Sequence, residues 1–137
     1  KNNNSWSVDY VADINKVGDI IYITSKSHIT AFDVSVGMEE LGSIYIQGSI
    51  SDTTMQDSMI YISVSGRNEI VGLDTADPAD VKRAFSHAGD NFKKPLKITS
   101  IDGHVFVFGE ISSPIFQGQK SVTSINVQQN NNIFEME

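Results

Sequence analysis

A chain of 137 residues has room for one ordinary domain or a few small repeats, and little room for a second independent core. Ten Lys and Arg stand against 17 Asp and Glu, a formal net charge of −7 that sets the protein's own field against a phosphate backbone and argues against a nucleic-acid partner. With no Cys there is no disulfide, thiolate metal site or cysteine nucleophile, and no apolar run approaches the roughly 20 residues of a membrane span.

Taken in chain order, the apolar residues run in period two or in short β-branched stretches bounded by Gly, Asp, Asn and Ser, which predicts strands almost throughout. After the polar opening Lys1-Asn2-Asn3-Asn4-Ser5, the first set of four is Tyr10–Ile14, Gly18–Ile23, Ile29–Val34 and Leu41–Ile46. The second is Ile50–Met55, Asp57–Ile62, Ile70–Thr75 and Val81–Phe85, with Ala79–Ala84 as the one helical candidate. The third is Leu96–Ile101, Asp102–Val107, Val122–Val127 and, after the polar run Gln128–Asn132, Ile133–Met136.

These sets repeat. Gly18-Asp19-Ile20-Ile21-Tyr22-Ile23, Asp57-Ser58-Met59-Ile60-Tyr61-Ile62 and Asp102-Gly103-His104-Val105-Phe106-Val107 share one pattern, a polar turn followed by an aliphatic and aromatic strand. Tyr22, Tyr61 and Phe106 align and are expected to pack between neighbouring sheets. Asp33, Asp74 and Asn126 align at the ends of the following strands, where a short polar side chain forms an Asx-type turn. Four short strands in roughly 40–45 residues is the size of a propeller blade. The expected fold is therefore all-β, about three antiparallel four-stranded blades of a β-propeller, with a β-sandwich as the alternative. One propeller-like segment would span residues 1–137, in units of about 8–48, 49–92 and 93–137.

The middle unit carries a closer likeness. Its run Met59-Ile60-Tyr61-Ile62-Ser63, then Ser65-Gly66, then Glu69-Ile70-Val71-Gly72-Leu73-Asp74-Thr75-Ala76-Asp77-Pro78-Ala79 resembles the LVIVD-type, YncE-like propeller repeat. The first unit has Val36-Gly37-Met38 where that repeat has Asp-Pro, and the third has Asn126 in place of Asp. The resemblance implies a propeller of an exported protein, extracellular, at the cell surface or periplasmic, and no particular chemistry. Asp77-Pro78 itself reads as a corner, because Pro ends ladder pairing.

Local signatures of catalysis are missing from the sequence: it has no GxSxG elbow, HExxH pair, P-loop or dinucleotide fingerprint. Asp52 and Asp57 could be read as an acid and base, but acids on an exposed strand serve solubility. His28, His87 and His104 fall at three different repeat positions, so no metal site is indicated. No cofactor is expected, calcium being the single cation for which Asp74, Asp77 and Asp80 offer a spacing, and turn capping is the better account of all three. Trp6 stands alone, whereas a lectin-like propeller would repeat such a residue.

Two features suggest a binding surface. One is the excursion Gly109–Lys120, longer than the matching hairpins of the other units, with Glu110, Ser112, Ser113, Phe116 and Gln117 as contact candidates. The other is a basic stretch in which Lys93 and Lys94, with Lys97, Lys82 and Arg83, are candidates for an acidic partner. The leading functional expectation is a binding or scaffolding segment, contacting a protein or glycan through blade loops. The alternatives are part of a propeller enzyme (hydrolase, lyase or quinoprotein-like) with an axial site, and a carbohydrate-binding module. Because propellers close with about 4–8 blades, three would need further blades from a longer chain, a second copy or another subunit, and a fragment is the favoured expectation.

Overall fold

The computed structural model describes residues 10–88, 92–111, 120–126 and 134–136. Within them the chain is all-β, built from three antiparallel four-stranded blades. The first blade is β1 (Asp13–Val17), β2 (Ile20–Thr24), β3 (His28–Asp33) and β4 (Glu39–Tyr45), hydrogen-bonded in that order. The second is β5 (Ile50–Gln56), β6 (Met59–Val64), β7 (Glu69–Asp74) and β8 (Lys82–Ala88). The third is β9 (Phe92–Ile101), β10 (His104–Ile111), β11 (Lys120–Asn126) and β12 (Phe134–Met136). Each is a simple up-and-down meander, the order of a propeller blade.

Two-residue turns set the register of the leading hairpins. Gly18, Asp57 and Asp102 open them at φ 58°, 55° and 47°, a region in which Gly and Asp are at home and β-branched residues are not. With those turns fixed, Tyr22 pairs with Ala31, Tyr61 with Gly72 and Phe106 with Ser124, so the three units superimpose strand for strand. The aligned acids cap as expected: the Ser35 N–H and hydroxyl both donate to Asp33 Oδ1 (2.8 and 2.6 Å), and the Ala76 N–H donates to Asp74 Oδ1 (2.9 Å). Burial places Tyr22 (2% exposed) in the core between the first and second blades, with Ile29, Ala31, Ile60, Ile62 and Leu73. Tyr61 (5%) joins Ile70, Ile98, Val105 and Val107 in the core between the second and third. Each such fully buried aliphatic side chain contributes about 1.5–3 kcal/mol. Phe106, at the matching position, lies on the face of the third blade turned away from the second and is half-buried.

The first strands of the blades stand side by side and are joined by polar groups. Thr53 Oγ1 donates to Asp13 Oδ2 (2.7 Å) and accepts from Asn15 Nδ2 (2.8 Å), tying β5 to β1. Ser51 Oγ donates to the Pro95 carbonyl (2.5 Å), Asp52 Oδ2 accepts from the Ile98 N–H (3.0 Å) and Thr54 meets Ser100 (3.1 Å), tying β5 to β9.

One strand boundary changes, and one alternative falls away. The first strand begins at Asp13 instead of Tyr10, because Tyr10 and Val11 are exposed while the polar Asp13 and Asn15 bind the neighbouring blade. The strand read over Val81–Phe85 is β8, and the helical candidate Ala79–Ala84 is a capped bend leading into it, where the Ala79 N–H donates to Asp77 Oδ1 (3.0 Å). The ladder then steps over Ala84, a bulge matching the one that steps over Leu41 in β4. No helix among the described residues is long and apolar enough to cross a membrane.

Candidate functional site

The β1–β2, β5–β6 and β9–β10 hairpin turns, the Asx turns and the connection from β7 to β8 gather at one end of the blades, here called the turn end. Asp19, Asp57, Asp74, Asp77, Asp80 and Asp102 are all exposed there. At this end a cleft of about 260 Å³ opens between the first and second blades. Val17, Ile20 and Tyr22 form its wall on the first blade. Met55, Asp57 and Ser58 from the β5–β6 hairpin, with Thr75, Ala76 and Pro78, form the wall on the second.

Both sides of the cleft are held. Toward the first strands, the Asp13–Thr53–Asn15 bridge joins the blades. Toward the outer strands, Gly42 of β4 meets the backbone of Pro78 and Ala79 so closely that a Cβ on Gly42 would stand 2.8 Å from the Ala79 carbonyl oxygen. The floor is tied by Tyr22, whose hydroxyl donates to the Thr75 carbonyl (3.4 Å), and the Thr75 N–H donates to the Ser58 carbonyl (2.8 Å). Thr75 is 5% exposed, yet its hydroxyl Oγ1 has no hydrogen-bond partner. Burial pushes the Tyr22 phenol above its ordinary pKa; the nearby Thr75 hydroxyl opposes the shift and the negative charge of Asp77 adds to it.

The position of Val17 carries a different side chain at the next interface. Gln56 stands where the first blade has Val17, and with its amide oriented to put the oxygen toward the following hairpin it accepts from the Gly103 N–H (3.0 Å) and the Asp102 N–H (3.2 Å). Val17 has neither the reach nor an acceptor to make that bridge.

No family model matches the chain, and no curated protein matches its sequence. Among solved structures it is similar to the N-terminal domain of Nup159, at 6% identity over 93% of this chain and 48% of that one, with a TM-score of 0.43. It is also similar to a chain in an S. cerevisiae assembly of a Dbp5 variant bound to Nup159, a Gle1 variant, IP6 and ADP. There the identity is 7% over 90% of this chain and 48% of that one, with a TM-score of 0.39. The chain thus spans about half the length of these structures.

The residues singled out from the sequence fall elsewhere. Ser112, Ser113, Phe116 and Gln117 lie outside the described residues, as does Trp6. Glu110 belongs to β10, where it pairs with Lys93 on β9 and Lys120 on β11, so the excursion is shorter than its sequence span. It and Lys94 stand toward the end of the blades opposite the cleft. The basic stretch is divided: Lys82 pairs with Asp80 (2.8 Å) at the turn end, and Arg83 approaches Glu69 (3.7 Å). Asp52 is bound to the third blade and Asp57 faces the cleft, so the two are not a catalytic pair. Asp74 and Asp77 cap turns, and among the described residues no three His, Asp or Glu gather to hold a metal. Sequence reasoning placed Asp57 in a polar turn and weighed it with Asp52, put Thr75 at a strand end and Pro78 at a corner; the cleft they border exists only once two blades meet.

Proposed function

We propose that this chain is a protein-binding segment of propeller type whose contact surface is the turn end, and that its partner presents a basic, extended segment. The observation that carries this reading is the coincidence of an apolar cleft with a rim of exposed aspartates on a scaffold held rigid between two blades. Clefts with apolar walls and a few convergent polar groups are the usual places of recognition, and a one-signed rim steers an oppositely charged partner. An exported or surface setting, implied by the LVIVD-type resemblance, belongs to the same proposal.

Amide chemical-shift mapping with a lysine-rich peptide tests it, an acidic peptide of equal length serving as control. Shifts are expected around Asp19, Asp57, Ala76 and Asp77, weakening as salt is raised. Shifts confined to the opposite end, around Lys26 and Arg67, or an equal response to the acidic peptide, would refute it.

A further inference from the structure

Resting on that reading of the turn end, we propose that the cleft between the first and second blades is a socket for a single lysine side chain of the partner. Its volume of about 260 Å³ lies below the roughly 300–1,000 Å³ of sites for cofactors and drug-sized ligands, which favours one side chain as occupant. Val17, Ile20, Met55 and Pro78 offer an apolar sleeve for a four-carbon stem, the part of lysine that gains from leaving water.

The far end of the sleeve is built for a cation. Thr75 Oγ1 is buried and accepts no hydrogen bond, and the Tyr22 hydroxyl beside it, donating to the Thr75 carbonyl, keeps a lone pair to accept with. Asp57 lines the cleft, and Asp77 is close enough for its charge to be felt at the Tyr22 phenol. Separate single acceptors suit an ammonium with three rotatable donors. The planar fork of arginine calls instead for a bidentate carboxylate; Thr75 and Tyr22 offer none, and Asp57, the one carboxylate in the lining, is exposed on its hairpin.

The test uses a blocked peptide of alternating Lys and Ser, with Arg and norleucine versions, titrated against the whole chain by calorimetry and shift mapping. The expected order of affinity is Lys, then Arg, then norleucine. Thr75→Val keeps the shape and removes the acceptor, and is expected to weaken the Lys peptide about 10-fold, the worth of one hydrogen bond to a charged group. Val17→Gln installs a longer polar side chain at the cleft wall, the residue that stands at the equivalent position 56, and is expected to weaken it by a similar factor; Val17 is half exposed, so the fold tolerates the change. Asp80→Asn, an acid of the turn end outside the cleft, is expected to change affinity less than about 3-fold. Urea midpoints of all three variants separate unfolding from loss of binding. Undiminished binding at the turn end in both Thr75→Val and Val17→Gln, or equal affinity for the norleucine peptide, overturns the socket and leaves the broader proposal standing. Failure of the Lys peptide to bind the parent chain overturns both.

Discussion

Replacing Thr53 by Val removes one hydroxyl and keeps its shape, at the point where the first two blades are joined. That hydroxyl donates to Asp13 Oδ2 at 2.7 Å and accepts from Asn15 Nδ2 at 2.8 Å, and Thr53 is 5% exposed. A bond to a charged group is worth about 1.5–3 kcal/mol and a neutral one about 0.5–1.5. Asp13 and Asn15 are half-buried, so water recovers part of the loss and the net cost is about 2 kcal/mol. In a chain of this size that lowers the melting temperature by about 6–10 °C. The measurement is the urea midpoint with its slope, repeated on Asn15→Ala and the double variant. A coupling of about 0.5–1.5 kcal/mol is expected, because the two side chains share one bond. Thr54→Val, which loses only the Thr54–Ser100 contact to the third blade, is the comparison and costs about 1 kcal/mol. If Thr53→Val lies within about 0.5 kcal/mol of the parent, or the cycle is additive, the bridge does not hold the blades together.

Three further outcomes follow from the geometry. Gly42→Ala drives a Cβ to 2.8 Å from the Ala79 carbonyl oxygen and 3.3 Å from that of Pro78. Backbone cannot swing aside as a side-chain tip can, so a cost of about 1–3 kcal/mol is expected in urea unfolding, and a neutral result would refute the close approach. Asp57 sits at φ 55°, so Asp57→Gly should stay within about 0.5 kcal/mol of the parent while Asp57→Val costs about 1–2; equal effects would mean the turn is not left-handed. Burial, first among the causes, raises the pKa of both Tyr22 and Tyr61 above 10.0. The unfolded chain therefore ionises first: the stability tied to the neutral phenols is complete below pH 10.0 and is lost as pH rises through the raised folded values. Urea midpoints should fall above that pH, less steeply in Tyr22→Phe, and an unchanged slope in that variant would contradict the burial account.

The blades were legible because their determinants are local. Turn chemistry at Gly18, Asp57 and Asp102, short β-branched and aromatic runs at Ile20–Thr24 and Met59–Val64, and the caps at Asp33 and Asp74 each act within a few residues, so one sequence pattern carries them. The first strand was misplaced for a physical reason. At the inner edge a strand contributes by bonding across blades, and Asp13 and Asn15 do so while Ile14 remains 57% exposed, the reverse of a hydrophobic criterion. The helical candidate Ala79–Ala84 gives way to the strand read over Val81–Phe85 because Asp77 and Pro78 fix a turn there. The cleft had no sequence signal: Val17 and Thr75 lie far apart in the chain and border one space only where two blades pack.

The aromatic position in the second strand of each blade gives the stack a direction. Tyr22 points from the first blade into the second, Tyr61 from the second into the third, and Phe106 onward from the third. Front and back of every blade are therefore different surfaces, and each joint is heterologous. Any extension that reuses this joint, whether by more chain or by another copy, must add blades head to tail. A two-fold pairing of Phe106 faces would set two fronts against each other and reproduce none of the contacts that hold Tyr22 and Tyr61, so the handedness of growth is already written into three side chains.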